Sequence, residues 1–155
     1  MKIYYLISLV VIALDQWTKN LAVSELADGF IKVTDFFSLI LAYNKGAAFS
    51  FLSDAGGWQR WFFTVIAAGV SAVLVVWIYR LKQHEKLLAI ALALVLGGAI
   101  GNLYDRVVLG HVVDFILVHY QDNYFPAFNV ADSAISVGAV LLILDAFLQG
   151  KENRE

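Results

Sequence analysis

Four short stretches of the chain carry ionisable or amide side chains in otherwise apolar surroundings. They are Asp15 with Lys19; Asn102 with Asp105 and Arg106; Asp114 in Val112-Val113-Asp114-Phe115; and Asn129 with Asp132 in Phe128-Asn129-Val130-Ala131-Asp132. Each ionisable group costs about 2.5–3.5 kcal/mol inside a membrane even on permissive insertion scales, so it needs a partner or a purpose. Asp15 and Lys19 are spaced i, i+4 and can pair on one helix face, which either makes that helix insertable or supports a site. Asn102 and Asp105 are spaced i, i+3, as are Asn129 and Asp132, so each couple shares a face. Two carboxyls facing each other in a low-dielectric pocket cannot both ionise easily; they hold one proton between them and titrate as a pair. One then acts as general base on a water while the other, protonated, polarises a carbonyl. Asp114 and Asp132 are the candidates for that chemistry. Asp15, Asp105, Asp114 and Asp132 could instead line an ion or proton path.

Other constellations are weaker. Ser133 follows Asp132, and His111 and His119 flank Asp114, which permits a Ser/His nucleophile on paper; Lys19 or Lys45 could serve a Ser/Lys one. No Gly-x-Ser-x-Gly context accompanies them. His111 with Asp114 and either Asp105 or Asp132 could hold a metal, but no paired-His helix motif is present. With no cysteine in the chain, disulfides, thiolate zinc sites and cysteine nucleophiles are excluded.

The elements that position these residues must be membrane helices. Of the 155 residues 61% are hydrophobic and 15% charged, against about 45–50% and about 25% in soluble domains. The net charge of −2 offers no basic face to a nucleic acid. Trp61 to Tyr79 and Leu87 to Tyr104 are free of charged residues and long enough to span a bilayer core. Two further spans complete a four-helix bundle, giving helices over 3–23, 59–79, 87–106 and 130–148 in a single integral-membrane domain. A cleaved signal peptide is the competing reading of the first segment, with Lys2 as its charged end and Ala22-Val23-Ser24 as its cleavage site, but Asp15 and Lys19 intrude. Arg80, Lys82 and Lys86 in one turn, and Lys151 and Arg154 in the tail, place both termini in the cytoplasm. The segments 26–58 and 107–129 then face outward, and Asp114 and Asp132 converge near the outer surface. Asp145 lies about 20 Å further along the last helix and cannot join them.

The first outward segment, with Phe36, Phe37, Leu39, Leu41, Tyr43, Phe49 and Phe51, is strand-like and aromatic. It predicts a small β region over 26–57 at the membrane surface, or more plainly an interfacial aromatic belt. Gly97-x-x-x-Gly101 would let a second helix approach closely.

Five blocks in this order now carry a resemblance: Asp15-x-x-x-Lys19, Asn44-Lys45-Gly46-Ala47-Ala48-Phe49, Gly101-Asn102-Leu103-Tyr104-Asp105-Arg106, Val113-Asp114-Phe115 and Phe128-Asn129-Val130-Ala131-Asp132. Over residues 3–148 the chain resembles the lipoprotein signal peptidases (signal peptidase II) of bacteria, and it departs from the pattern at no motif position. The resemblance implies an inner-membrane aspartic endopeptidase that cuts prolipoproteins before a diacylglyceryl-modified Cys. It implies a four-helix transmembrane fold with an extracytoplasmic β-cradle, no metal or other cofactor, and inhibition by globomycin-like antibiotics. Asp114 and Asp132 would be catalytic, with Asp15, Lys19, Asn44, Gly46, Asn102, Asp105, Arg106, Asn129 and Ala131 supporting the site or the substrate. Prolipoproteins and membrane lipid are the expected partners, and a monomer the expected state. Two finer expectations follow: Asn44 and Asn129 hold the substrate backbone, and Arg106 pairs with Asp105 or Asp15 rather than with the dyad, where a cation would drive both acids to ionise.

Overall fold

A computed structural model describes residues 3–27, 29–45, 58–121 and 123–152. The β-region residues 46–57, Gly46 among them, lie outside the described residues. Four helices are long and apolar enough to cross a membrane: α1 (Tyr4–Glu25), α2 (Trp58–Arg80), α3 (Lys86–Val108) and α4 (Val130–Glu152). Each begins within a residue of the expected span and runs one to four residues past its end, because a helix satisfies its own backbone and can run on into the interfacial layer. α1 is a continuous helix packed into the bundle. It buries Asp15 and Lys19.

α3 is the central element, packed by α1, α2 and α4. Its glycines make this possible. A Cβ on Gly97 would meet Val11 and the Ser8 carbonyl of α1, and one on Gly98 would meet Ala131 and Ile135 of α4. The Gly97-x-x-x-Gly101 face therefore does admit another helix, α1. At one end of the bundle Leu74, Ile78, Leu81, Ala89, Leu92, Ala93 and Leu96 form an apolar core around the Arg80–Lys86 turn. The outward faces of α2 and α4 expose Val65, Val73, Val140 and Phe147, as lipid-facing helices do.

At the opposite end sits a four-stranded antiparallel sheet in the order β1 (Ile31–Lys32), β2 (Phe37–Asn44), β3 (Val112–Tyr120), β4 (Asn123–Tyr124). The small sheet is present, but half of it comes from the segment between α3 and α4, where no strand was expected. The run Val112 to Tyr120, rich in β-branched and aromatic residues, was a legible signal for β3. β2 and β3 pair through Asn44↔Val112 and Ala42↔Asp114, with a bulge between Leu39 and Ala42. Ala22, Leu26 and Phe115 seat the sheet on α1.

The approach to β3 is tight. α3 ends with Leu109 N–H and Gly110 N–H both donating to the Asp105 carbonyl. Gly110 takes φ +86°, a conformation that a Cβ disfavours. The chain thus reverses at once, and Asp114 falls back over the end of α3.

Candidate active site

α4 opens on reciprocal hydrogen bonds. Asp132 N–H donates to Asn129 Oδ1 at 3.0 Å, and Asn129 N–H donates to Asp132 Oδ2 at 3.3 Å, the arrangement of a capping box with Asn as cap and Asp in the first turn. A backbone N–H can only donate, so Asn129 must turn its oxygen to Asp132 and its NH2 the other way. That NH2 lies 2.7 Å from Asp114 Oδ1 and 3.2 Å from both the Val113 carbonyl and Asn102 Oδ1. One fully buried asparagine therefore links the two acids singled out from the sequence. Asn102 Nδ2 donates to Asp132 Oδ1 at 2.8 Å, and Asn44 hydrogen-bonds Asp114.

Asp114 is 3% exposed. Burial, and after it the neighbouring Asp132 charge, push its carboxyl up from 3.8 to about 6, against the opposing pull of the Asn44 and Asn129 hydrogen bonds and of Lys19.

Beneath the pair lies a buried charge cluster. Lys19 Nζ is 2.8 Å from Asp15 Oδ2, 2.9 Å from Asp105 Oδ2 and 2.9 Å from Asn102 Oδ1. Asp15 Oδ1 accepts Ala131 N–H at 2.9 Å, and Asp105 Oδ2 accepts Val113 N–H at 3.2 Å. Gln16, not among the expected site residues, donates to Asp105 Oδ1 at 2.8 Å and to Asp15 Oδ2 at 3.2 Å. Its position beside Asp15 was its only signal. The contact between α1 and α3 is close enough that a Cβ on Gly101 would lie 2.6 Å from Asp15 Oδ2.

Two expectations are corrected. Arg106 makes no ion pair with Asp105 or Asp15, because Lys19 takes both. Instead Arg106 Nη1 donates to the Asn102 carbonyl at 3.2 Å, its guanidinium stands 5.7 Å from the Phe63 ring, and its charge interacts at longer range with Asp132, Asp114 and, least, Asp105. Asn129 holds no spare amide group for a substrate backbone, since both ends of its side chain are spent inside the site. Asp15, Lys19, Asn102, Asp105, Asn129 and Ala131 all meet around the pair, and Asn44 stands on β2 beside Asp114. Ser133 Oγ donates to the Asn129 carbonyl at 2.9 Å, His111 packs edge-on against Tyr43, and His119 lies beside Ser38 and Tyr124. These contacts do not assemble a Ser/His nucleophile. Among the described residues no three His, Asp or Glu side chains are grouped to hold a metal ion. Asp145 is remote and accepts a hydrogen bond from Gln149.

A family model described as signal peptidase (SPase) II matches residues 7–148. The chain belongs to the signal peptidase II family. Among curated relatives of this family, the lipoprotein signal peptidase of Pseudomonas putida is 64% identical over 94% of this chain and 86% of the relative. That of Pseudomonas aeruginosa is 63% identical over 94% and 88%. A bacterial membrane enzyme solved by the in meso method at 2.3 Å resolution superposes with a TM-score of 0.84 at 32% identity, covering all of this chain and 93% of that one. A second, at 1.9 Å, gives 0.79 at 32% identity over 93% and 92%. This signal peptidase II chain is thus a multi-pass membrane peptidase of bacterial type.

Proposed function

We propose that Asp114 and Asp132 form the catalytic dyad of a lipoprotein signal peptidase that removes the signal peptide from diacylglyceryl-modified prolipoproteins. The observation that carries this reading is the Asn129 side chain, bonded at once to the Asp114 carboxyl and to the Asp132 backbone, which fixes the two acids against each other. Asp114, raised to about 6 by burial and by Asp132, holds the shared proton and hydrogen-bonds the scissile carbonyl. Asp132 accepts hydrogen bonds on both oxygens, from Asn102 and from Asn129 N–H, and sits in the first turn of α4, where the helix dipole favours negative charge. It takes a proton from water as the water oxygen attacks the carbonyl carbon, while Asp114 protonates the carbonyl oxygen. In collapse Asp132 returns its proton to the leaving nitrogen, and Asp114 recovers its own from the gem-diol hydroxyl.

The site lies where the sheet meets the helices. In the proposed orientation both termini are cytoplasmic and this end faces outward at the cytoplasmic (inner) membrane. A substrate anchored by its own lipid then presents the bond before its modified Cys in the plane of the dyad, and water enters from outside. In this reading Asn44, on β2 and bonded to Asp114, also meets the substrate backbone. The enzyme works as a monomer, and globomycin-like peptides compete for the dyad.

Purified enzyme is expected to cleave a diacylglyceryl-modified prolipoprotein, and Asp114→Asn and Asp132→Asn variants that still fold and bind substrate are expected to lose at least about 10³-fold in kcat. Activity near the parental level in either folded variant would refute the dyad.

A further inference from the structure

We infer that Asp15, Gln16, Lys19 and Asp105 form a jig that sets the spacing of Asp114 and Asp132 by gripping the backbone one residue ahead of each acid. This rests on the dyad reading above. Asp105 accepts the N–H of Val113, which precedes Asp114, and Asp15 accepts the N–H of Ala131, which precedes Asp132. Lys19 ties the two grips together, with one ammonium proton for each of Asp15, Asp105 and Asn102. Asn102 passes the restraint on to Asp132 through its NH2. An ammonium can only donate, so Lys19 also dictates which way the Asn102 amide faces.

The donor count explains why two carboxylates can share a single buried lysine. Asp15 Oδ1 takes Ala131 N–H, and its Oδ2 takes Lys19 and Gln16. Asp105 Oδ1 takes Gln16, and its Oδ2 takes Lys19 and Val113 N–H. Every carboxylate oxygen has a donor, so the two acids are held in one geometry. Gln16 is the neutral member that completes the set, and it is a positioning residue that touches no substrate. A role in stability alone would not require the N–H groups next to the two acids to be the ones held.

The test is steady-state cleavage of the lipidated prolipoprotein by full-length enzyme carrying Asp105→Ala, Asp105→Asn or Gln16→Met. Lys19 and Val113 both meet the same Asp105 oxygen, so Asn keeps the grip and Ala removes it. Asp105→Ala should lower kcat by about 10²-fold, the scale of an ångström-sized misplacement of reacting groups, with KM within about threefold of the parent. Asp105→Asn should recover most of that loss. Gln16→Met matches the side chain's length without its donors. It should lower kcat about threefold to tenfold at unchanged KM and near-parental melting temperature. Equal losses for Ala and Asn, or parental kcat in a folded Gln16→Met variant, overturn the jig; should Asp105→Ala fail to fold, Gln16→Met decides alone. Asp114→Asn and Asp132→Asn run alongside separate the two failures. If both are inactive while the jig variants are parental, only the jig falls; if either is active, the dyad itself falls.

Discussion

Asp114 is a carboxyl held where ionisation is costly. Its acidity is shifted from 3.8 in the open chain to about 6 in the folded protein, so the folded state binds its proton more tightly than the unfolded state. The stability this confers is fully present below pH 3.8 and is lost as pH rises through about 6, a difference of about 3 kcal/mol. Asn at this position keeps an oxygen for Asn129 and never ionises. Asp114→Asn should therefore melt several degrees above the parent at pH 8, with the gap closing as pH falls from 6 towards 4. A parent that is as stable as the variant at pH 8 would contradict the buried, strained carboxyl. That Asp114, Asp132 and most of the polar residues now found around them would be brought together was legible in the sequence, because an ionisable residue in an apolar run needs a partner or a purpose. The partners of Arg106 and Asn129 were not. Lys19 satisfies Asp15 and Asp105 with one ammonium, and Asn129 is turned inward by the Asp132 N–H; competition of this kind for donors and acceptors is decided in three dimensions and leaves no trace in spacing.

At the scale of elements, the end of α3 is held by a side chain of its neighbour α2. Arg60 sits near the start of α2, where a cation opposes its own helix dipole, yet its Nε donates to the Arg106 carbonyl at 2.7 Å and its Nη2 to the Val107 carbonyl at 3.0 Å. Those are final carbonyls of α3, so α2 caps its neighbour. The guanidinium also lies over Gly110, at the turn that aims β3. Arg60→Ala should cost about 2 kcal/mol, visible as a drop of several degrees in thermal unfolding, and it should weaken activity by loosening the start of β3. An unchanged melting temperature would show that water replaces the cap. The helices were legible because a charge-free run long enough to cross a bilayer has few alternative folds. β3 was less legible, because Asp114, a residue type depleted in strands, interrupts its β-branched and aromatic run. Arg60 carried no signal, since its partner belongs to a different helix.

Among the described residues, packing is closest around α3 and sparser at the edges of the sheet. This helix is packed on three sides, whereas β1 and β4 are two-residue strands at the edges of the sheet. In hydrogen exchange of the detergent-solubilised enzyme, amides of α3 between Ala89 and Asn102 should be the slowest and those of β1 and β4 among the fastest. Faster exchange in α3 than in α2 would contradict its central place. The Asp15 contact to Ala131 N–H joins residues 116 positions apart, and in doing so it sets a schedule. A ribosome delivers α1 well before α4, so Asp15, paired with Lys19 on its own helix, receives the Ala131 N–H only after α2, α3 and β3 have been made. Under the proposed mechanism the nascent chain is inert until Asp132 is in place, and proteolytic competence arrives in one step, when α4 is inserted.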